Sequence, residues 1–306
     1  MENIVMAFPK PMDSATVILV RNTDSGKFEI CLMKRRVELD FMGGVYVFPG
    51  GITDEGDCGD ALVMHAAGIS PLVEKMKLSE PDMPEDRLRG IVFSAIRETF
   101  EESGILLAYD QFGDIINFKK SGEDFVKRFG DYRTLVYEKK ISLAEIAVKE
   151  KLKYAADMLT PYSRWITPET KSGKKRFDAR FFIARAPEGQ TALHDDVEMA
   201  ESVWVTPAGA LEMYRSGGMA LMPPTFRTLE ELSEFASVND LYASAASRRI
   251  YPLLPEFYTF KGGYGLKLPC DPEYTIAEFK QPYNPVEPCR VIAGKDGLLR
   301  TLFCNK

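Results

Sequence analysis

The chain has 306 residues, 45% of them hydrophobic and 27% charged, with a formal net charge of −6 at pH 7. This is ordinary for a globular protein, and the acidic balance argues against a dedicated nucleic-acid binder. No apolar run reaches the roughly 18–20 residues of a membrane-spanning helix, and the first ten residues lack the pattern of a signal peptide.

Ser14 to Arg21 is apolar and β-branched and predicts a strand. The turn cluster Asn22 to Gly26 leads to a second strand, Phe28 to Met33, so the two should form a hairpin. Val45 to Phe48 predicts a short strand that runs into the breaker Pro49-Gly50-Gly51. Asp60 to Leu78 has helical periodicity, and Ser79 to Pro84 reads as a linker. Arg87 to Ser103 is helical, with Leu88, Ile91, Val92, Ala95, Ile96 and Thr99 forming a stripe of period 3.6. Residues 122–138 and 142–158 predict two further helices. Strands follow at 162–166 and 176–184, joined by a turn near Lys171 to Lys174, and again at 200–205. Thr206-Pro207 opens a helix through about Arg215, and 230–247 is helical in two pieces. From Pro252 onward the chain is rich in Pro, Gly and Tyr and predicts an irregular β tail. Cys31, Cys58, Cys270, Cys289 and Cys304 are scattered without a C-x-x-C pair. Neither a disulfide framework nor a zinc site is therefore expected, and a reducing cytoplasm fits.

The most informative stretch is Arg97-Glu98-Thr99-Phe100-Glu101-Glu102-Ser103-Gly104-Ile105. Glu98, Glu101 and Glu102 stand at i, i+3 and i+4, on one helix face. Gly104 is a natural residue to follow the last helical turn, so the acids collect where the helix dipole disfavours negative charge. A sequence that accepts both penalties has a cation to offset them, and clustered carboxylates suit hard divalent ions such as Mg²⁺ or Mn²⁺. The alternative reading of the acids alone is a solvated acidic face.

The run Arg97, Glu98, Glu101, Glu102, Gly104, Ile105 resembles the second half of the Nudix box, G-x5-E-x7-R-E-U-x-E-E-x-G-U with U bulky and apolar. Phe48-Pro49-Gly50-Gly51 resembles the segment that leads into the box glycine. Thr99 stands at an apolar position of the pattern, and Gly51 lies 46 residues before Arg97, where the pattern has 14. Counted back from Arg97, the first box glutamate falls at position 89, occupied by Arg89. This split box, with Arg164 to Pro168, Arg176 to Phe182, Pro223 to Thr225 and Leu232 to Leu241, resembles the nucleoside diphosphate-linked moiety X motif 19 branch. That branch includes peroxisomal coenzyme A diphosphatases with an insertion inside the box.

The resemblance implies an α/β/α sandwich with a mixed sheet, over residues 1–216, with a helical insertion at about 55–85. A helical and β extension follows at 217–306. It implies hydrolysis of a diphosphate linkage in a nucleoside diphosphate derivative, assisted by Mg²⁺ or Mn²⁺. Coenzyme A or an acyl derivative is the leading substrate, cleaved to 3′,5′-ADP and a phosphopantetheine. An ADP-ribose or nucleotide-sugar pyrophosphatase and a non-catalytic ligand sensor are the alternatives. Glu98, Glu101, Glu102 and the backbone carbonyl of Gly51 become metal ligands, with Arg97 holding the acids and Glu101 central to catalysis. Glu198, with Glu201 as second choice, becomes the late-loop acid. Arg35, Phe48, Gly50, Gly51 and Arg176 become substrate contacts. A homodimer is compatible with the resemblance.

Overall fold

The computed structural model describes residues 9–24, 26–39, 42–169, 175–195 and 197–304. The turn predicted near Lys171 to Lys174, most of the N-terminal stretch and the last two residues lie outside them. The chain divides into two compact units. One comprises Ser14–Tyr162 with Arg180–Ile250, the other Met1–Asp13, Ser163–Ala179 and Tyr251–Lys306.

In the first unit, β1 (Met12–Asn22) and β2 (Phe28–Arg35) pair antiparallel through Val20↔Ile30, as the turn chemistry between them predicts. Short strands β3 (Tyr46–Val47) and β4 (Gly50–Ile52) pair with β2 and β1. Later come β8 (Thr160–Ile166), β9 (Phe177–Arg185) and β10 (Met199–Val205), and the strand order is β10-β2-β1-β9-β8. Successive strand residues face opposite sides. Val17, Leu19, Cys31 and Met33 join a core with Leu88, Ile91, Val92, Ala95 and Ile96. Ile18, Val20, Ile30 and Leu32 point the other way and are also fully buried, so the sheet is covered on both faces. This is the expected α/β class with a mixed sheet.

The inserted segment departs from the single helix expected over 60–78. A 3-10 turn covers Asp60–His65, β5 is Ala66–Ala67, and α1 is only Ile69–Lys77. Gly68, at φ 70°, separates them in a conformation that a helix interior does not tolerate. Next come α2 (Glu85–Ser103), β6 (Ala108–Tyr109), α3 (Glu123–Tyr137) and α4 (Leu143–Glu150). The helix expected through 158 stops at Glu150, because Lys151 turns left-handed at φ 54°. The chain then forms β7 (Lys153–Ala155), which pairs with β5 and β6 and sinks Tyr154 completely. The Tyr154 hydroxyl donates to the Leu143 carbonyl at 2.7 Å.

Helices α5 (Pro207–Arg215), α6 (Pro223–Ser233) and α7 (Val238–Ser247) complete this unit. Helix α6 starts at Pro223, earlier than periodicity suggested, because proline fits the first helical turn. Residues 217–250, read from sequence as part of the extension, thus cluster with the box. Among the described residues no helix is long and apolar enough to cross a membrane.

In the second unit, β11 (Pro252–Leu253) pairs parallel with the 164–165 part of β8. A four-stranded sheet runs β12 (Glu256–Phe260), β13 (Gly263–Lys267), β14 (Arg290–Ala293) and β15 (Leu299–Leu302). The cysteine reading needs correction here. Cys289 and Cys304 form a disulfide, with Cα atoms 6.0 Å apart. Linear spacing hid the pair. The β14–β15 register sets Arg290 opposite Leu302, which brings the residues just outside the ladder together.

Glu80, in the linker before α2, forms a forked ion pair with Arg180 of β9, at 3.1 and 2.5 Å. Both side chains are buried. Replacing Glu80 by alanine removes the carboxylate that the buried Arg180 guanidinium engages with two of its nitrogens. It should destabilise the protein by about 3–5 kcal/mol in urea titrations, whereas a surface pair would cost under about 1.

Candidate active site

Helix α2 begins after Pro84, with Glu85 and Asp86 in the first turn where the dipole favours them. It ends on Gly104 at φ 71°, whose N–H donates to the Phe100 carbonyl at 2.9 Å. Thr99, the departure from an apolar position, is fully buried and satisfied, its hydroxyl donating to the Ala95 carbonyl at 2.7 Å.

Arg97 is the hub. Its Nη1 donates to Glu98 Oε1 at 2.8 Å and to Glu101 Oε1 at 3.0 Å. Its Nε and Nη2 grip both oxygens of Asp57 at 2.9 Å each, and Nη2 also reaches the Ile52 carbonyl at 2.8 Å. The grip on Asp57 corrects the sequence reading. Asp57 lies six residues after Gly51, where G-x5-E places the first box acid. Counting forward from the glycine finds it; counting back from Arg97 crosses the insertion and lands on Arg89. Arg89 instead pairs with Asp60 and Glu85 at 3.0 and 3.2 Å. The box is therefore complete in acids, with aspartate for the first glutamate and the insertion between that aspartate and Arg97.

Two glycines let β4 approach its neighbours closely, Gly51 toward α2 and Gly50 toward β1. A Cβ on Gly51 would stand 2.4 Å from the Glu98 carboxyl, and one on Gly50 would stand 2.3 Å from the Ala15 carbonyl oxygen. The Gly50 N–H donates to Glu102 Oε2 at 2.8 Å. Gly50 thus positions an acid of the cluster. Phe48, expected at the substrate, is 2% exposed and packs edge-on against Phe181, with ring centroids 6.4 Å apart. It belongs to the core.

On the neighbouring β2–β10 edge, Arg35 Nη1 lies 3.7 Å from Glu198 Oε2. The Arg35 Nε is buried and has no hydrogen-bond partner among the described residues. Asp195 Oδ1 accepts the N–H groups of Val197, Glu198 and Met199 at 2.8–3.0 Å and so shapes the turn that presents Glu198. Glu201 is instead engaged by the Tyr46 hydroxyl at 2.9 Å. Arg176 does not serve as expected. It is buried in the second unit and spends its guanidinium on the Thr167 and Pro9 carbonyls and on Glu169.

The electrostatics are those of an under-compensated acidic pocket. Burial raises the Glu98 carboxyl to about 7, with Glu101 adding repulsion and Arg97 opposing it. Burial also raises Glu101, against Arg97. Glu102 is raised well above the usual range, first by burial and then by Glu98. Buried carboxylates this close stay ionised only beside more positive charge than Arg97 supplies. All the donors are hard oxygens, so the residues fit a divalent ion of the Mg²⁺ or Mn²⁺ kind.

Known proteins share the family and the fold. Residues 11–232 match the NUDT19 Nudix domain family. The chain is 27% identical to the acyl-coenzyme A diphosphatase NUDT19 of Xenopus laevis over 256 residues, covering 75% of this chain and 66% of that protein. It is equally identical to that of Gallus gallus over 290 residues, covering 81% and 75%. For the Homo sapiens protein the figures are 27%, 73% and 65%. The chain thus spans about two thirds to three quarters of the length of these relatives. A NUDIX hydrolase from Alicyclobacillus acidocaldarius shares the fold, with a TM-score of 0.56 at 20% identity over 80% of this chain and all of that one.

Two outcomes are expected. Asp57→Ala should weaken Mn²⁺ binding about 10–100-fold in calorimetric titration, because Arg97 loses the partner that aims it at the acids. The metal-free protein should lose stability as pH rises from the ordinary carboxylate value of 4.5 through about 7. Over that window the folded state holds protons that the unfolded state has released. Thermal melts across pH 4–8 read this directly, and Mg²⁺ at pH 8 should restore the lost stability.

Proposed function

The chain belongs to the Nudix family, with a domain of the NUDT19 type, and on that premise we propose that it hydrolyses the diphosphate of coenzyme A or an acyl derivative. The reaction depends on Mg²⁺ or Mn²⁺ and yields 3′,5′-ADP and a phosphopantetheine. The observation that carries this is the Arg97-centred set of Asp57, Glu98, Glu101 and Glu102 on and beside one helix end.

Glu98, Glu101 and Glu102 would hold the ion. When bound, it activates water and neutralises charge that develops on phosphate oxygens. Arg97 keeps Glu98 and Glu101 oriented for this, while the Gly50 N–H does so for Glu102. Arg35 grips the substrate's phosphate, its buried Nε, without a partner among the described residues, matching an anion that brings acceptor oxygens. Glu198, beside Arg35 at the cluster's edge, accepts the proton of the attacking water. The acyl-coenzyme A diphosphatase names of the relatives support the choice of substrate.

Incubation of coenzyme A and acyl derivatives, ADP-ribose and nucleotide sugars in ¹⁸O water, read by mass spectrometry, tests the proposal. Release of 3′,5′-ADP from the coenzyme A substrates, abolished by chelation, is expected. Preferred cleavage of ADP-ribose or a nucleotide sugar would reassign the substrate. No turnover of any of them with either ion would favour the sensor. Glu101→Gln should lower kcat by about 10³-fold without unfolding the protein.

A further inference from the structure

The last four carbonyls of any α-helix lack partners within it. In α2 those are Phe100, Glu101, Glu102 and Ser103, and every one is taken. Gly104 N–H serves Phe100, and Leu193 N–H serves Ser103 at 2.8 Å. The two between them are taken by one side chain from α3. Arg133 Nε donates to the Glu101 carbonyl and Nη2 to the Glu102 carbonyl, each at 2.7 Å. Nη2 also reaches the Leu193 carbonyl at 2.8 Å. The guanidinium sits close against the helix end, where a Cβ on Gly104 would stand 3.2 Å from its Nη1.

Two arms of the site meet at this guanidinium. One is the backbone of the residues whose carboxylates form the acid cluster. The other comprises Leu193, Asp195 and Glu198 ahead of β10, with Arg36 N–H donating to the Glu198 carbonyl at 2.9 Å. The end of α3 borders the same region, since Glu198, Asp195 and Glu101 all add to burial in raising the Tyr137 phenol. A cation also belongs at this helix end, where the dipole and the acids make the potential most negative.

Resting on the metal-dependent reading above, we propose that Arg133 is a positioning residue that locks the spacing between the Glu101–Glu102 backbone and the turn that carries Glu198. It touches no substrate. It fixes where two acids stand relative to the turn that carries Glu198, and a planar fork can hold several carbonyls in a way that an ammonium cannot.

The test compares Arg133→Met and Arg133→Lys with wild type in the full chain, by Mn²⁺ titration followed by electron paramagnetic resonance and by steady-state kinetics on coenzyme A. For Arg133→Met, Mn²⁺ affinity should fall about tenfold and kcat at saturating Mn²⁺ at least as much, while KM stays within about twofold. Arg133→Lys keeps the charge but not the fork and should recover only part of both. A folded Arg133→Met protein with wild-type Mn²⁺ affinity and kcat overturns the proposal, even if its melting temperature drops, because the role is then only structural. Should the methionine variant not fold, a lysine variant with wild-type affinity and kcat overturns it equally. Mn²⁺ binding requires no substrate. A wild type that binds Mn²⁺ yet spares coenzyme A therefore defeats the substrate reading and leaves this one standing, while a wild type that binds no Mn²⁺ defeats both.

Discussion

One guanidinium governs the architecture of the site. Arg97 engages Asp57, Glu98, Glu101 and the Ile52 carbonyl together. Taking several charges out of water is expensive, and an ion pair recovers that cost only when its geometry is good and the remaining donors are used. Arg97 meets that condition from the side of the cation. The acids do not meet it from theirs. Glu98, Glu101 and Glu102 are all pushed toward protonation by burial. The imbalance is local and specific, and it is what separates this helix end from a solvated acidic face.

The second constraint is close approach. Gly51 lets β4 stand against Glu98 of α2 and Gly50 lets it stand against the β1 backbone at Ala15, so tightly that no side chain fits at either position. The contact at Gly51, with the Arg97–Asp57 pair, joins the two halves of the box in space and removes any need for fixed spacing in sequence. An insertion between Asp57 and Arg97 then costs little, since closure entropy rises only slowly with loop length. The inserted chain is tied down in its own right, by α1 packing in the core and by Glu80 on Arg180. A split box is thus the same device as a contiguous one, with its geometry held by packing.

How much of this was legible in the sequence follows from the range of each interaction. The Arg97 to Gly104 turn, the β1–β2 hairpin and the apolar stripe of α2 rest on local periodicity and capping, and could be read directly. The metal-type acids came with them. Asp57 sits in register with Gly51, but the insertion separates it from Arg97, so the spacing back from Arg97 points to Arg89 instead. Phe48 and Arg176 were misplaced because strand position alone does not say what a side chain packs on or which carbonyls absorb its donors. The break at Lys151 and the Cys289–Cys304 pair depend on tertiary partners, Tyr154 burial in one case and strand register in the other. No window of sequence contains them.

The helix dipole completes the physical picture. Three acids in a C-terminal turn face like-charge repulsion and an unfavourable helix end at once. The structure does not relieve this by moving the acids. It closes the helix end instead: Gly104 caps one carbonyl, Leu193 another, and Arg133 supplies both hydrogen bonds and positive charge to the two between. The backbone beneath Glu101 and Glu102 is thereby fully satisfied, so the strain that remains is confined to their carboxylates. Strain of that kind is relieved by a cation among the side-chain oxygens and by nothing that acts on the backbone. On the proposed reading, the fold holds the helix end rigid so that the unmet charge is left where the ion binds.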